Sequence, residues 1–157
     1  MWFMNRIANP LVRLILRSKL HRWMSGAVLL ITYRGRKSGR EYTLPVQYVR
    51  EGETIYIVPG GAEKKTWWRN LRGGAAVTLV LRGKQLAGQA TLLEGDKDTE
   101  SIAAALQLYL KRFPPSARIH SVRTRPDGSI DQEDIHNAAG SLIIVRVDLS
   151  APGQDKS

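Results

Sequence analysis

The chain has no cysteine among its 157 residues, which removes disulfides, thiolate metal sites and a cysteine nucleophile together. Histidine is scarce. His21, His120 and His136 lack metal-ligand spacing, and no His-Glu-x-x-His or carboxylate cluster accompanies them. Long apolar runs are also lacking: residues 27–31 and 142–145 fall far short of the roughly 20 that span a bilayer. The opening Met1-Trp2-Phe3-Met4-Asn5-Arg6 does not read as a signal peptide, because apolar residues come first and no long hydrophobic region follows. Acidic residues are outnumbered, 14 Asp and Glu against 24 Lys and Arg, for a formal charge of +10. The cations are dense before residue 40 and around 64–72, while the acids gather in 94–100 and 127–134, which implies one basic face. Such charge favours nucleic acid, anionic lipid or a polyanionic cofactor without choosing among them.

The length suits one domain with its own core. Asn9-Pro10 marks a helix start, and Gly26 a stop, so residues 1–26 read as an N-terminal helical segment. Leu11, Val12, Ile15, Leu16 and Trp23 share one arc of that helix, which Lys19 and Arg22 interrupt. It suits either packing over one end of a barrel or peripheral contact of residues 1–24 with anionic membrane, on the inner face in a cytoplasmic protein. From residue 27 the period changes. Val28-Leu29-Leu30-Ile31-Thr32-Tyr33 reads as a strand, and a second runs over residues 42–49 with Pro45 indicating an edge or a bulge. Glu51-Gly52 turns into a strand over 54–58, and Thr66 is placed to cap a short helix over 67–72. A hairpin over 76–93 turns at Arg82-Gly83-Lys84, with Gly88 suggesting strong coiling. Ile102, Ala105, Leu106, Tyr109 and Leu110 repeat at helical spacing after Asp98. Residues 131–139 read as a short helix in an otherwise irregular stretch, residues 141–149 as a closing strand, and residues 150–157 as a disordered tail. About six strands in hairpins with outer helices predict an α+β, mainly β architecture: an antiparallel split β-barrel domain over residues 27–149.

Two glycine-bearing cationic loops bracket what reads as one β-hairpin: Gly35-Arg36-Lys37-Ser38-Gly39-Arg40 and Gly60-Gly61-Ala62-Glu63-Lys64-Lys65. Arginine forks, lysine point charges, the Ser38 hydroxyl and backbone N–H groups suit phosphate or carboxylate oxygens. Glycine also lets backbone approach a flat ring closely. Neither loop is a P-loop, and Ser38 lacks the Gly-x-Ser-x-Gly setting of a hydrolase nucleophile. With no protein-borne nucleophile or metal, an enzyme of this kind leaves its reaction to an organic cofactor. Trp67 and Trp68 are adjacent, so one is expected in the core and the other at a pocket or the surface. No helix-turn-helix or aromatic-studded basic sheet is readable, which argues against nucleic acid.

The ordered set of residues 29–32, Gly35-Arg36-Lys37-Ser38-Gly39, Pro45, Tyr48, Gly60-Gly61-Ala62-Glu63-Lys64 and Trp68-Arg69-Asn70-Leu71 resembles the deazaflavin-dependent nitroreductase and quinone reductase family. The resemblance covers roughly residues 10–95. It implies a split β-barrel that binds coenzyme F-420, an 8-hydroxy-5-deazaflavin with a phosphate and polyglutamate tail. The reduced coenzyme would deliver hydride to a quinone, nitro compound or other small activated acceptor. Carried over, Arg36, Lys37, Ser38, Gly39 and Arg40 hold the anionic tail, and Gly60, Gly61, Ala62 and Lys64 back and flank the ring. Tyr48, Trp67, Trp68 and Tyr109 wall the acceptor pocket, with no catalytic residue of the chain's own and no metal. Many members carry a base where this chain has Tyr42, and Ser-Lys where it has Val58-Pro59. A homodimer is also implied. Two other readings suit the same barrel: an FMN-dependent oxidoreductase, and a carrier of lipid, fatty acid or cofactor without turnover.

Overall fold

A computed structural model of the chain describes residues 27–59 and 66–150. The predicted N-terminal helix, the Gly60-Gly61 loop and the C-terminal tail lie outside the described residues. Among the described residues, seven antiparallel strands form one sheet: β1 (Val28–Arg34), β2 (Glu41–Gln47), β3 (Val49–Glu51), β4 (Thr54–Ile57), β5 (Ala75–Leu81), β6 (Lys84–Glu94) and β7 (Ile143–Leu149). Helix α1 (Thr99–Arg112) and helix α2 (Gln132–Ala139) are joined by an irregular stretch that opens with a 3₁₀ turn, Pro114–Ala117. A second 3₁₀ turn, Trp67–Leu71, precedes β5.

The spatial order is β2-β1-β5-β6-β7-β4-β3. β2 and β3 are thus the two edges, yet only Tyr48 separates them in the chain. The sheet therefore has to curl until its edges meet, which makes it a split barrel. The expected single strand over 42–49 is corrected here. It breaks at Tyr48, because β2 pairs with β1 whereas β3 pairs with β4. Nor do the strands between the two glycine loops form one hairpin: residues 35–40 lead into β2, which pairs with β1, and only β3 and β4 pair with each other before the second loop. Pro45 does sit on an edge strand, opposite Leu30, where its missing N–H costs no central ladder bond.

Side chains divide by the two-residue period of a strand. Val145 and Val147 of β7 join Leu29, Ile31, Ile55, Ile57, Val77 and Leu79 in the barrel interior. Ile144, the residue before Val145, turns outward to Ile102, Leu106, Leu110 and Ile135 of the helices. The predicted α1 stripe is the buried one: Ile102, Ala105, Leu106, Tyr109 and Leu110. The Asp131 carboxylate caps α2 by accepting from the Asp134 N–H at 3.0 Å. Thr66, by contrast, makes no side-chain cap to its 3₁₀ turn. A five-residue 3₁₀ segment is closed by backbone instead, with the Arg69 N–H donating to the Thr66 carbonyl at 3.0 Å.

Two close backbone features shape β6. A Cβ on Gly88 would lie 2.6 Å from Val147 Cγ1, so glycine is what lets β6 coil against β7. Its hairpin with β5 turns on Arg82 and Gly83, both left-handed at φ 50° and 76°. That is the pattern of a type I′ turn, which favours Asn or Gly at the first position; arginine there is strained by about 1 kcal/mol.

Candidate functional site

Residues 35–40 form a tightly hydrogen-bonded loop. The Gly35 N–H donates to the Arg40 carbonyl at 2.8 Å, and the Gly39 N–H to the Gly35 carbonyl at 2.9 Å. Gly35 has no room for a side chain: a Cβ would sit 2.7 Å from Ser38 Oγ and 2.9 Å from the Tyr42 ring. Ser38 Oγ accepts from the Arg40 N–H at 3.2 Å and lies 3.3 Å from Tyr42 Oη. Its hydroxyl is thus part of the loop's own clasp. Arg36, Lys37 and Arg40 are exposed, and none has an ion pair among the described residues. Neighbouring cations do: Arg34 meets Glu41 at 3.6 Å, and Arg72 meets Glu94 at 3.1 Å. The loop therefore presents concentrated positive charge on a fixed backbone.

Asn70 joins this loop to the second motif. Its Oδ1 accepts from the Arg36 N–H at 3.0 Å, and its Nδ2 donates to the Trp67 carbonyl at 2.9 Å. One amide side chain thus holds the loop against the 3₁₀ turn that follows the segment containing Gly60, Gly61, Ala62 and Lys64. Those four residues lie outside the described residues. Trp68 is buried, with the Arg69 and Arg72 guanidiniums each 5.5 Å from its ring centre. Trp67 is half-buried beside Tyr33 at 5.7 Å, and Tyr33 stacks on Tyr42 at 5.6 Å. Burial, and then the neighbouring Tyr42 hydroxyl, raise the Tyr33 pKa above its ordinary value. Tyr42 contributes a ring and a hydroxyl to the loop.

Tyr48 and Tyr109 sit elsewhere. β1 and β2 align Arg34 with Glu41 at the loop end and Val28 with Gln47 at the other. Six strand residues separate the two ends by about 20 Å. Tyr109 is buried and donates from Oη to Gln47 Oε1 at 2.7 Å. Its ring lies 5.0 Å from Phe113 and 6.4 Å from His120, edge-on. Burial raises the Tyr109 pKa, against the opposing effect of a hydrogen bond with Ser116, and burial lowers that of His120. Tyr48 follows Gln47 and lines a cleft of about 560 Å³ with Leu81, Leu86 and several cations. The expected pocket residues thus fall into two groups, Trp67 with Trp68 near the cationic loop and Tyr48 with Tyr109 at the far end. Sequence reasoning missed Gln47, which carries no motif, and the cleft cations, for which an arginine in a two-residue turn was the available sign.

A family model described as F420H(2)-dependent quinone reductase matches residues 17–111. A solved structure named F420-H2 dependent reductase (FDR-A) is similar at 21% identity over 77% of this chain and 93% of that one, with a TM-score of 0.51. Another, described as a domain-swapped dimer, is similar at 18% identity over 87% of this chain and 96% of that one, with a TM-score of 0.53. Atu2129 from Agrobacterium tumefaciens str. C58, of unknown function, shares 18% identity over 92% of this chain but 56% of its own length, with a TM-score of 0.52. At such identities the likeness is one of fold. No curated protein matches the chain.

Proposed function

Since the chain belongs to the F420H(2)-dependent quinone reductase family, we propose that residues 35–40 grip the phosphate and acidic tail of coenzyme F-420 so that a quinone or another activated apolar acceptor is reduced beside its ring. The protein is an oxidoreductase, and its reductant is the reduced form of that coenzyme. The observation that carries the placement is the loop itself: three exposed cations, unpaired among the described residues, on a backbone tied down by Asn70. That donor set fits a polyanionic tail. Arg36 and Arg40 offer forked donors, Lys37 a point charge, and the loop needs no rearrangement to present them.

Bound reduced coenzyme F-420 supplies the hydride. The chain's part is to hold and to shelter. Gly60, Gly61 and Ala62 are assigned to back the ring through their N–H groups, with Lys64 a second anion contact. The outer edge of β2, which among the described residues pairs only with β1, offers backbone groups along the path from the loop to Gln47. Trp67 and Trp68 wall the site at the loop end, and Tyr48 and Tyr109 wall it at the Gln47 end. Tyr109, its pKa raised by burial, keeps its proton on Oη in the bond to Gln47. A fluorescence titration with coenzyme F-420 and with FMN tests the assignment. Saturable binding of the deazaflavin is expected; binding of FMN alone would replace the cofactor, and binding of neither would favour a carrier.

No described helix is long and apolar enough to cross a membrane. The reading extends to a cytoplasmic enzyme that touches anionic membrane through its basic residues 1–24. Cosedimentation with anionic vesicles, falling as salt rises and absent with neutral vesicles, is the expected behaviour. It extends also to a homodimer, for which light scattering gives the molar mass.

A further inference from the structure

The cleft at the Gln47 end shares Tyr48 with the wall proposed for the acceptor site, but its cationic rim is not accounted for by the cofactor grip. Its floor is apolar, formed by Tyr48, Val49, Leu81 and Leu86, and its rim carries Arg50, Arg82, Lys84 and Arg112. No carboxylate lines it among the described residues. An ion pair with Glu53 at 3.3 Å occupies Arg50, one of the four cations. Arg82 and Lys84 have no ion pair among the described residues. Both flank Gly83 at the tip of the β5–β6 hairpin, so a short turn sets two like charges beside an apolar hollow. Arg82 does so in a left-handed conformation at φ 50°, where asparagine or glycine is the easier residue. The backbone gains nothing from an arginine at that position. What the residue adds is a guanidinium on the rim.

We propose that this cleft is a binding site for a small amphipathic anion, an apolar body ending in one carboxylate or phosphate. The body would lie on Tyr48, Val49, Leu81 and Leu86, and the acid would meet Arg82 and Lys84. The volume of about 560 Å³ falls within the roughly 300–1,000 Å³ of ordinary small-molecule sites. Two cations that repel each other across an apolar surface both gain when an anion settles between them, and the low-dielectric floor strengthens the attraction. The site stands at the opposite end of β1 from residues 35–40, so its ligand is not the acidic tail assigned to that loop.

Calorimetric titration of the full chain with 2-naphthoate and with 2-naphthalenemethanol, the same ring without the charge, tests the proposal. The anion is expected to bind about tenfold more tightly. Arg82→Asn with Lys84→Gln should erase that preference, and Arg36→Ala with Lys37→Ala should leave it intact. Asparagine suits the turn, so the first double variant is expected to melt no lower than the parent, which separates charge loss from unfolding. Equal affinity for the two probes, no binding of either at millimolar concentration, or a preference abolished by the loop variant instead would overturn the site. An added arm identifies the ligand's source. If Arg82→Asn with Lys84→Gln weakens only binding to anionic vesicles and leaves 2-naphthoate untouched, the cations serve a lipid surface and the small-ligand site is overturned.

Discussion

Removing two charges from the residue 35–40 loop, as Arg36→Ala with Lys37→Ala, is expected to weaken binding of coenzyme F-420 by about 100-fold. A hydrogen bond to a charged partner contributes roughly 1.5–3 kcal/mol, and exposure reduces that. Two such contacts at about 1.4 kcal/mol each give the stated factor, because every 1.4 kcal/mol is tenfold. The parent's affinity should fall as salt is raised and the variant's should fall less, because fewer charges remain to be screened. Stability should not move: both side chains are exposed and neither has an ion pair among the described residues. The comparison is a fluorescence titration of both proteins at two salt concentrations beside a thermal melt. Unchanged affinity in a folded variant would remove the loop from the cofactor site. Affinity lost together with the melting transition would mean that the loop supports the barrel instead.

The second large effect concerns Gly95, a residue of neither cationic loop. Gly95 follows β6 and is buried, with its N–H donating to the Leu142 carbonyl at 3.0 Å. A Cβ placed there would lie 2.5 Å from the Gly140 carbonyl carbon and oxygen and 2.6 Å from the Ala139 carbonyl oxygen. All three atoms are backbone, at the end of α2, so no side chain can swing aside. Gly95→Ala must push α2 away from the sheet and loosen the packing of Ile135 and Ala139 against Ile144 and Leu106. A loss of about 3 kcal/mol is expected, the upper part of the usual overpacking range. For a chain of this size that lowers the melting temperature by roughly 10 °C. Gly52→Ala is the useful contrast. It is left-handed at φ 60° with nothing within 4 Å of its added Cβ, so only conformational strain of about 1 kcal/mol applies. A Gly95→Ala protein melting within about 2 °C of the parent would show that the α2 terminus yields more easily than a packed backbone should.

These two sites differ in how far the amino-acid sequence discloses them. The cationic loop is plain, since Gly35 to Arg40 are contiguous and their chemistry is carried by residue type. β1, β5, β7 and α1 are plain for a similar reason: runs such as Leu142-Ile143-Ile144-Val145 and the Ile102-to-Leu110 stripe carry their period within one element. What escapes is whatever depends on partners. Nothing local in Gln47-Tyr48-Val49 says that a strand of uniform propensity must change neighbours there, because the change is set by β1 on one side and β4 on the other. The separation of Tyr48 and Tyr109 from Trp67 and Trp68 follows from the same register. Asn70 stands in a recognisable motif, but its bond to Arg36 joins residues 34 apart, and sequence position alone does not bring them together. Gly95 resembles any turn glycine until the end of α2 is placed against it.

The one-residue link at Tyr48 also orders the making of the protein. β1 and β2 find each other across a short loop as soon as both have left the ribosome. β3 and β4 make a similarly local pair, but β4 must then wait for β7, whose Asp148 pairs with Thr54. Through most of synthesis, therefore, Ile55 and Ile57 sit on a strand with one side unpaired, although both end fully buried. β6 waits for the same partner. β7 is the strand that locks both halves, so a nascent chain stalled before residue 143 would expose two sticky edges at once. A truncation that reaches into β7 would therefore act less as a trim than as removal of a keystone.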